Sequence, residues 1–259
     1  MIQEAKLMLH HHFKIKDLEE MRYFLGLEIA MSKDGILVCQ RKFALDLIAD
    51  LGLAVSKPVA TPMELNQRHT SIKFDQGCET ECTTDELLHD PAGYQRLVGN
   101  FLYLTMTRTD ISYIVQKLSQ LMHRPKKSHM EGALRVVRYL KNAHGLGILL
   151  SSKPSSELTV YCDADWATCP MTRRSVSDFI VKIGDSLISW KSKKQNTVSR
   201  SFAKAEYRSM TNAIAEIVWL TGLYEELGMQ LKFPVKLFVI ATHHFKLLLI
   251  LYTMSKQNT

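Results

Sequence analysis

The chain has 259 residues, 46% of them hydrophobic, with 33 Lys+Arg against 26 Asp+Glu and a formal net charge of +7. That length accommodates one large domain or two ordinary ones, and that apolar share excludes a disordered tail or a low-complexity array. The basic balance suits a polyanionic partner, although solubility alone would also explain it.

Five cysteines stand at 39, 78, 82, 162 and 169. An odd, scattered set points to a reducing compartment rather than a disulfide framework. Cys78 and Cys82 lack a second ligand pair at finger spacing, so zinc is not expected there. The opening MIQEAKLMLHHHFKIKDL has no signal-peptide core. The apolar run Leu247–Leu251 is too short to span a bilayer. The expectation is an intracellular protein with no membrane association, cytoplasm and nucleus both being open. His10, His11 and His12 lie in an amphipathic run and read as a solvated helix end rather than a metal tract.

Residues 3–12 have helical spacing. Tyr23–Ile29 is a compact apolar run, Asp34-Gly35 a hairpin turn, and Ile36–Gln40 the return strand. An amphipathic helix over Lys42–Leu53 carries Phe43, Ala44, Leu47, Ile48 and Leu51 on one face and ends at Gly52. Residues 66–92 are polar and read as an exposed linker. Three helices follow, near 94–106, 109–122 and 128–142, with apolar stripes that read as core. Arg135, Arg138 and Lys141 make a basic face on the third, either solvated or in contact with phosphate. Gly147–Ser151 and Leu158–Cys162 read as the start of a sheet, continued by Phe179–Gly184 and Leu187–Trp190. A long helix over 203–227 ends at Gly228, and Pro234–Ile240 is a last strand.

The stretch Glu157–Ala167, ELTVYCDADWA, organises the second half. Alternation places Thr159, Tyr161 and Asp163 on one face and Leu158, Val160 and Cys162 on the other. Asp163 and Asp165 stand at the carboxyl end, where an α/β sheet places its ligands. Carboxylates are hard ligands suited to Mg²⁺, yet an acidic pair after a strand also serves as a turn or helix cap. Glu206, in the first turn of the long helix, could converge with Asp163 on one cation.

Several strings, taken in order, carry a family resemblance: FKIKDL from Phe13, YFLGLEI from Tyr23, QRKFALDL from Gln40, KPVATPM from Lys57 and YQRLVGNFLYLT from Tyr94. RTDISY from Arg108, YCDADWA from Tyr161, TRRS from Thr172, ISWKSKKQ from Ile188 and AEYR from Ala205 complete the set. Over about residues 5–238 the chain resembles the C-terminal part of a copia-type retrotransposon Pol polyprotein. The resemblance implies an α/β (α+β) fold: a partial reverse-transcriptase thumb and connection region, then a truncated RNase H-like mixed sheet with helices. The implied boundaries are 1–66 for the end of the reverse transcriptase, 67–92 for the linker, 93–145 for a helical connection and 146–259 for the RNase H-like domain. It further implies hydrolysis of the RNA strand of an RNA–DNA hybrid by two Mg²⁺ ions ~4 Å apart, with selection through shape and the 2′-hydroxyl. The first catalytic and metal-binding Asp falls on Asp163 and the Glu on Glu206, while Asp165 is a neighbour of open role. Lys126, Lys127, Arg135, Arg138, Arg173, Arg174, Lys193 and Lys194 are candidate nucleic-acid contacts, and other Pol products are candidate partners.

The departures matter more. Phe202 and Lys204 interrupt the family's Ser-Ser-x-Glu-Ala-Glu-Tyr. Val239 and Ile240 stand where the family has Cys-Asp, its third metal carboxylate. The fourth ligand and the polymerase Asp-Asp motif are expected outside this stretch. Weak or no Mg²⁺ binding and no hydrolysis follow as expectations, leaving a nucleic-acid-binding remnant or an unselected pseudogene product as alternatives. From about residue 239 the tail departs from the family. Under a chosen set of codons LLILYTMSKQNT (Leu248–Thr259), read one base earlier, becomes the family's own next segment. A frameshift near Phe238 is the reading that accounts for this.

Overall fold

Glycine-punctuated hairpins and strongly amphipathic helices build two connected layers. The structure, a computed structural model, describes residues 2–14, 20–64, 69–77, 85–241 and 244–250. Cys78, Cys82 and the tail from Leu251 lie outside the described residues. The helices are α1 (Ile2–His12), α2 (Arg41–Asp50), α3 (Ile72–Gly77), α4 (Pro91–Leu104), α5 (Ser112–Ser119), α6 (Lys127–Leu140) and α7 (Phe202–Glu226). The strands are β1 (Tyr23–Phe24), β2 (Leu27–Ser32), β3 (Gly35–Cys39), β4 (Gly147–Ser151), β5 (Glu157–Asp165), β6 (Val176–Ile183), β7 (Ser186–Lys194), β8 (Lys232–Ala241) and β9 (His244–Ile250). They form an antiparallel sheet ordered β1-β2-β3-β4 and a mixed sheet ordered β7-β6-β5-β8-β9, in which only β5 and β8 are parallel. The α+β class and the helix–sheet order therefore match the expectation.

Stripe residues decide the packing. Leu47, Leu97, Phe101, Leu104, Ile114, Leu118, Val136 and Leu140 interlock α2, α4, α5 and α6 into one core. Asp90 starts α4 by accepting a 2.9 Å hydrogen bond from the Ala92 amide, with Pro91 at the first helical position, where its missing N–H costs nothing. In the second core Val160, Cys162, Val181, Val235 and Leu237 of the sheet meet Ala213, Ile217 and Leu220 of α7. Burying each such large aliphatic side chain contributes about 1.5–3 kcal/mol. The Trp190 Nε1–H donates to the Thr105 carbonyl at 3.0 Å and ties the second sheet to the helical core.

Two expectations need correction. Gly147–Ser151 does not open the second sheet; it closes the first, pairing Leu149 with Leu37 and Gly147 with Cys39. A Cβ on Gly147 would lie 2.2 Å from the Val38 carbonyl oxygen, so only glycine lets the strands close. Gly147→Ala is expected to cost about 1–3 kcal/mol through overpacking, read as a lower urea midpoint. An unchanged midpoint would mean that β3 and β4 do not pair this closely. Second, the described parts of residues 66–92 are not a free linker: α3 and the segment from Asp85 are held against the start of α6 by Lys126. Past Val239, β8 continues to Ala241 and β9 pairs with it antiparallel, Phe238 opposite Leu247.

Candidate functional site

Strand alternation delivers the carboxylates to one place. β5 buries Leu158, Val160, Cys162 and Ala164 against α7 and turns Tyr161 and Asp163 to the other face. Register then sets the neighbours. Asp163 is directly opposite Asp178 of β6, and Asp178 is opposite Ser192 of β7. One row below lie Tyr161, Ile180 and Trp190, with Phe238 of β8 stacked on Tyr161 at 5.1 Å between ring centroids. Asp163, Asp178, Ser192, Tyr161, Ile180 and Trp190 line a cleft of about 630 Å³ whose far side is formed by Thr109, Ser112 and Tyr113.

Helix α7 is bolted to the acidic row. The Ser209 hydroxyl donates to the Asp163 carbonyl at 2.5 Å and lies 3.3 Å from the Asp178 carbonyl. Glu206 is one turn earlier on the same helix. Burial, then the charges of Asp163 and Glu206, push the Cys162 thiol up to about 11. Both charges act on this one thiol, while Asp163 itself lies on the face of β5 turned away from α7.

The electrostatics of the cluster are unfavourable. Burial first, and the Asp165 charge after it, raise the Asp163 carboxyl above its ordinary value, against the pull of the Ala164 amide that donates to it at 2.8 Å. Burial, with the Asp165 and Asp163 charges added, pushes Asp178 up to about 6. Ser192, directly across the ladder on β7, opposes that rise only in part. Asp165 is exposed and acts on Tyr113, whose ring carries the Lys117 ammonium 4.4 Å from its centroid. Among the described residues no three His, Cys, Asp or Glu side chains form a group able to hold a metal ion. Where the family has Cys-Asp, β8 carries Val239, 5% exposed and paired with Cys162, and then Ile240 at the carboxylate position.

The basic candidates divide. Lys126 is 4% exposed and clamped between Asp75 at 2.7 Å and Asp85 at 3.0 Å, so it is not available to phosphate. Lys127 pairs with Glu86 and Arg135 with Glu64, while Arg138 is half-buried on α6. Arg173 is exposed and Arg174 half-buried in the turn after β5. Lys193 and Lys194 border a polar cleft of about 270 Å³ together with Gln195, Asn196, Thr197 and Arg208. Arg208 was not singled out in the sequence; its guanidinium donates to the Thr197 carbonyl and Ser199 hydroxyl at 3.2 and 3.1 Å, shaping that loop. Asp178 was missed as well, because the register that pairs it with Asp163 is invisible in the residues themselves.

Comparison with known proteins places this architecture. Residues 1–65 match the family model described as reverse transcriptase (RNA-dependent DNA polymerase). The Pol polyproteins of transposons RE2 and RE1 of Arabidopsis thaliana are 41% and 40% identical over 226 residues, 87% of this chain. An uncharacterized mitochondrial protein of the same plant is 37% identical over 211 residues, 80% of this chain and 81% of its own length. The chain belongs to the copia-type retrotransposon Pol family. It spans 15% of the length of the two transposon Pol polyproteins. No solved structure matches it. Within this Pol fragment the reverse-transcriptase match covers α1 to the end of α2, and the carboxylate cleft lies well beyond it. Among the described residues no helix is long and apolar enough to cross a membrane.

Proposed function

We propose that this Pol fragment binds RNA–DNA hybrid or other nucleic acid without hydrolysing it. The observation that carries the reading is the cationic rim of the cleft between the end of β7 and the start of α7. Among the described residues, ion pairs occupy Lys126, Lys127 and Arg135 but none occupies Lys193, Lys194 or Arg208. Cations left open around a polar concavity are what a phosphate backbone requires. The reverse-transcriptase family match supports a nucleic-acid ligand and divalent-metal chemistry in general. The valine at 239 and the apolar residue after it support the loss of the paired-metal reaction, since each missing carboxylate removes charge that offsets Mg²⁺ dehydration.

The test is a salt titration of hybrid binding. Affinity should fall linearly on a log–log plot, and Lys193→Glu with Lys194→Glu should flatten the slope by roughly 2, about 0.9 for each phosphate no longer neutralised. A slope unchanged by the double substitution would remove these lysines from the interface. Cleavage with Mg²⁺ or Mn²⁺ should not exceed background. Cleavage that disappears in Asp163→Asn would overturn the non-hydrolytic reading.

A further inference from the structure

The cleft on the open face of the second sheet carries chemistry that backbone binding at the β7–α7 rim does not use. Its floor is apolar and flat: Ile180, 41% exposed, lies between Tyr161 and Trp190, and Phe238 backs Tyr161. Tyr113 and Leu187 close the sides. Such a surface accepts a planar ring by stacking. At one end Asp163 and Asp178 stand directly opposite each other. Like charges in that relation destabilise a β-ladder, and among the described residues no cation forms an ion pair with either. A second, independent feature points to a ligand. The hydroxyl oxygen of Ser112, which also lines the cleft, is buried and makes no hydrogen bond within the protein. Buried polar atoms are almost always satisfied, so such an orphan on the cavity wall calls for an outside partner. Lys182 lines the same cleft and offers a positive counterpart to an anionic group.

Together these groups describe a flat heterocycle with adjacent N–H donors on one edge and an anionic substituent. Guanine has a ring N–H beside an exocyclic amino group on that edge. Adenine offers a single amino donor beside an acceptor nitrogen, which two carboxylates would repel. We propose that this cleft binds a guanine nucleotide, with the base stacked on Tyr161, its donor edge on Asp163 and Asp178, and its phosphate toward Lys182. The inference rests on the nucleic-acid reading only for the origin of the base. A free mononucleotide and a base splayed from a single strand present the same chemistry.

The experiment is calorimetric titration of the full chain with GMP, AMP and two T-rich single-stranded hexamers, one holding a single guanine and the other a single adenine. The guanine ligand should bind at least about tenfold tighter than its adenine counterpart, the discrimination one bidentate base contact supplies. Asp178→Asn should erase that preference and Tyr161→Leu should weaken both ligands. Lys193→Glu with Lys194→Glu, which weakens hybrid binding, should leave the GMP to AMP ratio unchanged, so the two readings fail separately. Preference with GMP itself assigns a free nucleotide; preference in the hexamers alone assigns a base within a strand. Equal affinities in both pairs, absence of binding by all four ligands, or a preference that survives Asp178→Asn overturns the proposal.

Discussion

Lys126→Met should unfold the chain at a much lower urea concentration, with a loss of about 2–4 kcal/mol, toward the lower part of the range for breaking a buried ion pair because both carboxylates keep some solvent. Lys126 bridges Asp75 and Asp85, whose side chains are 26% and 19% exposed. Burial opposes the ammonium, but the two acids outweigh it and hold its pKa above the ordinary lysine value. Burial likewise opposes the acids, and Lys126, with Thr70 for Asp75 and Ser128 for Asp85, holds both carboxyls below the usual range. Methionine keeps the stem and removes the charge, leaving two carboxylates facing each other against α6. The neighbouring His129 is fully buried, takes the Lys126 amide on Nδ1 at 3.0 Å and reaches the Thr70 carbonyl through Nε2 at 3.1 Å. Burial, then His69 and Lys126, push it down to about 4, so it is neutral at pH 7 and cannot replace the lost cation.

The sign of the pH dependence follows. Asp75 and Asp85 have folded pKa values below their unfolded ones, so their stabilisation is present above about pH 4 and lost as pH falls through the depressed values. The gap between wild type and Lys126→Met should therefore narrow as the pH falls below about 4. Asp85→Asn added to Lys126→Met should recover part of the loss by removing one unpaired charge. A Lys126→Met midpoint within about 0.5 kcal/mol of wild type, the range of an ordinary surface substitution, would show that Lys126 is solvated.

How far the molecule could be read from its residues depended on the range of the interaction. β5 was legible because its alternation is local: Val160 and Cys162 inside, Tyr161 and Asp163 on the other face. α7 was legible from its apolar period and from Gly228, which takes φ +72° just past the helix end. The burial of Lys126 was not, because its partners lie at Asp75 and Asp85 and nothing near it signals them. β4 was misplaced for the same reason: its apolar run fits either sheet, and only pairing with β3, far upstream, decides. Asp178 escaped notice although its strand was recognised. The turn chain from Trp166 to Ser175 fixes which β6 residue faces Asp163, and no rule of spacing gives that register. Arg208 was hidden in AEYR, where the acid drew the attention and the guanidinium that shapes the adjoining loop did not.

Asp178 supplies the second large effect, and it runs the other way. Asp178→Asn should stabilise the chain at pH 7.5 by on the order of 1–2 kcal/mol, less than the full ~1.4 kcal/mol per pKa unit because the group is partly solvated. The folded carboxyl titrates at about 6 for reasons of burial and of the facing Asp165 and Asp163 charges, whereas an unfolded Asp titrates near ~3.9. Between roughly pH 4 and 6 the folded state therefore holds the proton more often than the unfolded one, so stability falls as pH rises through that window and then levels off. Asparagine keeps the shape and an acceptor, removes the charge opposite Asp163 and should abolish this component of the slope. The check is a set of urea midpoints from pH 4.5 to 7.5 for both chains. Curves that converge toward the acid end, separate up to about pH 6 and keep a constant gap above it fit the raised carboxyl. Parallel curves, or a variant less stable than wild type at pH 7.5, would mean that ionised Asp178 is already compensated in the folded chain. In the first case the acidic row is a standing cost that Ser192 and Ala164 do not cover, which is the condition a ligand with paired donors would relieve.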